Sequence, residues 1–95
     1  MDNVLQFLFR GRLYSCDFFI DAMEDPIFIF CILKDNDLLV EFSDDVTIKT
    51  DGSVVLPTKN SYPELIELRQ AIFSAVKNTA AFQIKIKSVV RNTSA

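Results

Sequence analysis

The chain has 95 residues, 49% of them hydrophobic and 24% charged, with a formal net charge of −3. That composition excludes a disordered polypeptide, and the length holds only one domain, with enough core to fold without disulfide or metal staples. A net negative charge gives no general reason to expect a nucleic-acid partner.

In chain order, Val4 to Phe9 reads as a first strand, turned at Arg10-Gly11 where glycine supplies a positive φ. Tyr14, Cys16, Phe18, Ile20 and Ala22 then fall on alternate positions, with Ser15, Asp17 and Asp21 between them. That is the period of a half-buried strand. Met23 to Pro26 makes the next turn. Ile27 to Leu33 is apolar throughout, which predicts a central strand with both faces covered. Asp35-Asn36-Asp37 turns the chain into a further strand, Leu38 to Phe42. Val46, Ile48 and Thr50 alternate up to Asp51-Gly52, and Val54 and Leu56 complete a hairpin.

Pro57 to Asn60 reads as a loop. Ser61 and Glu64 stand at capping-box spacing, with Pro63 in the first turn of an amphipathic helix of about four turns. Leu65, Leu68, Ile72, Ala75 and Val76 share one face, and Ile66 and Phe73 widen the apolar arc. Asn78-Thr79 ends that helix. Phe82, Ile84 and Ile86 alternate with Gln83, Lys85 and Lys87, which predicts a last strand. The expected fold is α+β: an antiparallel meander of five to six strands with one helix packed on a face. The domain spans 1–90, and residues 91–95 fray.

Several chemistries are excluded by missing parts. Without histidine, Ser-His and Cys-His nucleophile pairs and His-liganded metal sites cannot form. Cys16 and Cys31 are too few for a tetrahedral zinc site, and read as buried thiols, or as a cross-strand disulfide should they face each other. Gly11 and Gly52 are too far apart for a phosphate-binding or dinucleotide turn. Asp35, Asp37, Glu41, Asp44 and Asp45 crowd two turns, where a cation site is conceivable. Turns favour Asp for local hydrogen bonding alone, so neither metal nor cofactor is expected.

All thirteen acids lie in residues 1–67 with five bases; residues 68–95 hold five bases and no acid. The expectation is a basic C-terminal segment settling beside an acidic sheet, the alternative a basic patch for an acidic partner. No apolar run approaches the ~20 residues of a membrane helix, and Met1-Asp2-Asn3 lacks the basic start of a signal peptide. Asn92-Thr93-Ser94 fits the glycosylation pattern, but without a secretion signal it carries no weight. A cytoplasmic, soluble protein is expected.

The sheet holds more apolar residues than one layer hides. If the even positions of the second strand face the helix, Leu13 and Phe19 face away, Leu8 and one alternate set from the third and fourth strands join them, and with Ile66 and Phe73 they form a candidate interaction surface. The expected role is non-catalytic: protein–protein interaction or homodimerisation. One alternative is a weak single-stranded nucleic-acid module, with Phe7, Phe9, Phe19 and Phe30 stacking bases beside a basic patch of Arg10, Arg12, Lys85 and Lys87. Another is a small apolar ligand held between helix and sheet.

Overall fold

A computed structural model of the chain describes residues 4–23, 26–59 and 61–93, with side chains as far as Ile86. Arg10 (φ 51°) and Gly11 (φ 77°) both adopt left-handed backbone, the geometry of a two-residue hairpin turn. They join β1 (Val4–Phe9) to β2 (Arg12–Asp21) in the register Leu8 opposite Leu13 and Leu5 opposite Cys16. β3 (Ile27–Leu33) pairs with β2, and β4 (Asp45–Thr50) with β3, so the sheet is an antiparallel meander in the order β1-β2-β3-β4. Among the described residues the structure is α+β with four strands and three helices, fewer strands and more helices than the sequence predicts.

Alternation decides the two faces. Leu5, Phe7, Phe9, Tyr14, Cys16, Phe18, Ile20, Ile29, Cys31 and Ile48 are buried on one side. Against them α2 (Pro63–Val76) lies mainly over β1 and also reaches β4. Leu68, Ile72 and Val76 of α2 are fully buried, each worth about 1.5–3 kcal/mol. Cys16 and Cys31 are free, buried thiols on this inner face. A hydrogen bond with Cys16, together with burial, pushes the Cys31 pKa far up, so the thiol stays protonated.

Leu38–Phe42, expected as a strand, belongs to helix α1 (Asn36–Phe42). A strand would turn Val40 to the same side as Leu38 and Phe42. The helix instead buries Leu38 and Phe42 four residues apart at the end of the core and leaves Val40 exposed. Asp35 accepts from the backbone N–H of Ser15 (3.2 Å), and Asp37 accepts from the Tyr14 hydroxyl (2.8 Å) and from Arg12 (3.2 Å). These bonds tie α1 to the hairpin and occupy two of the five carboxylates considered for a cation, Asp35 and Asp37.

The Tyr14 hydroxyl foremost, then the local backbone N–H groups and Arg12, hold the Asp37 carboxyl below its usual pKa. A folded value below the unfolded one stabilises above about pH 4 and is lost as pH falls through the folded value. Asp37→Asn is therefore expected to lower the urea midpoint at neutral pH, and its difference from wild type shrinks as pH falls from about 4 to 2. A constant difference across that window contradicts the assignment.

The expected hairpin past Asp51-Gly52 is reduced to one bridge, Thr50 to Val55, and a Leu56 N–H bond to the Lys49 carbonyl (2.7 Å). The intervening loop bonds to itself: Asp51 Oδ1 accepts from Ser53 and Val54, and the Thr50 hydroxyl donates to the Val54 carbonyl. Such local bonds compete with a ladder, and Pro57 then removes a donor. Gly52 (φ 103°) adopts a backbone that side chains disfavour, and a Cβ there meets Ile86 at 3.1 Å.

The capping box is displaced. Tyr62 is the N-cap of α2 and Pro63 its first residue, while the Ser61 hydroxyl bonds within the preceding loop and to Arg69. The predicted last strand is also corrected: Ala80–Thr93 form helix α3. Thr79 starts it by accepting from the Phe82 N–H (3.2 Å), and Phe82 and Ile86 turn inward, leaving Ile84 exposed. Backbone helix extends through 91–93; residues 94–95 of the expected frayed tail lie outside the described residues.

Candidate functional site

The second face of the sheet carries no helix or loop among the described residues. Each strand sends its odd or even partners there by the same alternation that builds the core. β1 contributes Val4, Gln6 and Leu8; β2 contributes Leu13, Ser15, Asp17, Phe19 and Asp21. β3 adds Phe28, Phe30 and Ile32, which corrects the expectation that this strand is covered on both sides. Asp45, Thr47 and Lys49 of β4 complete the face.

Register divides this surface into bands. At the hairpin end Leu8 faces Leu13, exposed 65% and 63%. Gln6 and Ser15 form a polar row behind them, and Asp17 follows, flanked by Val4 and Ile32 and paired with Lys34 at 3.0 Å. Next Phe19, 61% exposed, lies opposite Phe30, their rings stacked at 6.3 Å, and Phe28 stacks on Phe30 at 6.1 Å. Asp21 and Lys49 bracket Phe28. The face is thus apolar at two ends with polar groups between. A depression lined by Asp17, Phe19, Phe30 and Ile32 is shallow.

Leu8, Leu13 and Phe19 stand where alternation places them. Ile66 is exposed, but on α2, away from the sheet's open side. Phe73 is not a surface residue: it is buried and meets Phe82 edge-to-face at 5.8 Å. Its cover comes from α3, so a second helix explains the Phe73 side of the wide apolar arc of α2, while Ile66 stays exposed. Phe28, Phe30 and Ile32 are the alternate set of β3 that joins this surface; which of its two sets does so is hidden in the sequence because the buried partners are equally apolar.

The expected nucleic-acid set is not brought together. Phe7 and Phe9 are in the core, leaving Phe19 and Phe30 alone of the four on the surface. Arg10 bonds Glu41 at 3.0 Å and lies 3.8 Å from Glu67, its guanidinium over the Phe9 ring, and Arg12 pairs with Asp37. Lys85 and Lys87 belong to α3, whose Ile86 packs by Gly52, at the opposite sheet end from Arg10 and Arg12. The Lys87 side chain lies outside the described part. The expected pairing of the basic C-terminal segment with the acidic half is likewise not seen: every ion pair among the described residues lies within residues 10–67.

Two further concavities flank α2. A groove lined by Phe7, Leu8, Leu13, Ala71 and Ala75 follows the β1 edge, and a smaller apolar pocket lies between α2 and the loop at 55–61. The first lies between helix and sheet, where an apolar ligand is expected, but at the sheet's edge, since Leu68, Ile72 and Val76 fill the inner layer. Among the described residues no helix is long and apolar enough to cross a membrane. Comparison with protein-family models, curated proteins and solved structures finds no match to this chain.

Proposed function

We propose that the open sheet face is an association surface and that its occupant is a second copy of this chain. The observation that carries this reading is the stacked Phe19–Phe30–Phe28 row on the open side of a sheet whose other side is covered. Val4, Leu8, Leu13, Phe19, Phe30 and Ile32 each expose on the order of 100 Å², so a face-to-face pair covers about 1,200 Å², the threshold of a specific interface. The banding supports a two-fold arrangement. An axis through the polar middle sets the Phe end of one copy on the Leu end of the other, and each contact then occurs twice. The protein is non-catalytic and cytoplasmic in this reading, and its role is assembly.

Dilution tests it. Amide signals of Leu8, Leu13, Phe19, Phe30 and Ile32 are expected to move together with concentration in heteronuclear NMR spectra, while those of buried Leu68 and Ile72 stay fixed. Movement at the Phe end alone contradicts the two-fold arrangement, and no movement contradicts self-association.

A further inference from the structure

β1 is an edge strand, with β2 on one side and no strand on the other among the described residues. The two-residue turn at Arg10-Gly11 makes Phe9 and Arg12 a hydrogen-bonded pair, so Phe7–Tyr14 and Leu5–Cys16 are the next ones. The N–H and C=O groups of Val4, Gln6 and Leu8 therefore point away from β2, and among the described residues no backbone bond from a turn or loop reaches them. Edge strands are ordinarily blunted by charges, proline or a bulge, and Val4–Phe9 has none of these. The β4 edge differs. There Val55 bridges Thr50, the Leu56 N–H bonds the Lys49 carbonyl, and Asp45 and Lys49 carry charge.

Beside the β1 edge runs a groove of about 490 Å³, walled on the helix side by the small side chains of Ala71, Ser74 and Ala75. A strand paired with β1 sends every second side chain to the α2 side, as Leu5, Phe7 and Phe9 do, and those side chains enter the groove. At its hairpin end stands Glu67, 3.8 Å from the Arg10 Nε, and Glu64 shares that side of α2 one turn earlier. Arg10 gives its hydrogen bond to Glu41, which leaves both exposed acids without a bonded cation among the described residues.

We infer that the β1 edge takes an extended peptide segment of a partner protein as a further, antiparallel strand, with apolar side chains on the α2 side and a lysine or arginine beside Glu67. Backbone bonds to Val4, Gln6 and Leu8 supply the attachment, and the groove and the acids supply the preference. In antiparallel order the basic residue stands at the N-terminal end of the segment, opposite Phe9. A second copy of this chain fits the edge less well, because α2 lies mainly over β1. Pairing two β1 strands sets the two helices one strand spacing apart, about 4.8 Å, where packed helices stand about 8–10 Å apart. The site is the rim of the sheet and does not depend on self-association through the open face.

The test uses the full chain and the peptide acetyl-Lys-Thr-Val-Thr-Val-Thr-amide, whose lysine and valines share one side. Its binding is expected to shift the amides of Gln6, Leu8, Ala71 and Ser74 saturably and to slow hydrogen exchange at Gln6 and Leu8. Leu5, Phe7 and Phe9, already bonded to β2, are expected to change little. Proline in place of the middle threonine removes the donor opposite Gln6, and glutamate in place of the lysine meets Glu67; each is expected to bind at least about tenfold more weakly. Gln6→Pro leaves the β1–β2 bonds intact, and is expected to fold and lose the peptide. The peptide comparisons on wild type decide the matter even where that variant does not fold. Absence of saturable shifts, equal binding of the proline or glutamate peptide, or shifts confined to Phe19, Phe28 and Phe30 overturns the inference. Slowed exchange at Gln6 and Leu8 on raising protein concentration alone gives the edge to a second copy and overturns it as well.

Discussion

Phe19→Asp is expected to keep the fold and lose self-association. Phe19 points away from the core with 61% of its surface exposed, and its ring touches Phe30 rather than any helix. In the monomer a carboxylate there stays in water, so the cost is limited to strand preference and the lost ring contact, about 1 kcal/mol. In the associated pair the same carboxylate is buried against the partner's apolar side chains without a counter-charge, and association weakens by about a hundredfold or more. Thermal unfolding reads the first effect and molar mass in solution the second. A variant that unfolds would place Phe19 in the core. One that folds and still associates would move the interface elsewhere.

Phe18→Asp, one position earlier on the same strand, is expected to do the opposite. Phe18 is 7% exposed on the inner face, opposite Cys31 in the ladder. A carboxylate there is buried without a hydrogen-bonded cation, which costs about 3–5 kcal/mol beyond the lost aromatic packing. Since small domains are stable by only about 5–15 kcal/mol, the variant is expected to be largely unfolded at room temperature. Circular dichroism and urea unfolding check this. Phe18→Leu, which keeps an apolar side chain, is expected to remain folded with a reduced urea midpoint. A native-like Phe18→Asp would show that the two faces have been exchanged. The neighbouring pair varies side-chain direction while strand, charge change and residue type stay the same, so strand preference alone does not explain a contrast between them.

The legible part of the fold is that written in local periodicity. Tyr14, Cys16, Phe18 and Ile20 alternate with polar or open-face neighbours, and Arg10-Gly11 supplies the turn, so the first hairpin and its two faces follow from sequence. Leu68, Ile72 and Val76 likewise mark the inner stripe of α2. The two elements that differ in kind share a cause. Leu38, Val40 and Phe42, and again Phe82, Ile84 and Ile86, are short runs that satisfy a strand period while also placing two residues four apart on a helix. Tertiary contacts decide between the readings: Phe42 packs on Phe9 and Phe82 on Phe73. One local signal does point to α3, since Thr79 followed by two alanines is a sound helix start.

The ambiguity at α3 propagates to the site. With a strand after α2, Phe73 has no cover and reads as a surface residue; with a helix it meets Phe82 in the core. Leu8, Leu13 and Phe19 escape that error because their exposure depends only on strand alternation. The bonds from Arg69 to Thr58 and Ser61 are not legible in the sequence, because the two hydroxyls meet the helix only through the loop's own path.

The most direct test of the association surface is the molar mass of the wild-type chain by light scattering, over a wide concentration range at low and high salt. The expected result is a rise to twice the 10.8 kDa of one chain that persists in high salt, since apolar burial is not screened as charge pairs are. A mass of 10.8 kDa at every concentration would contradict self-association through the open face.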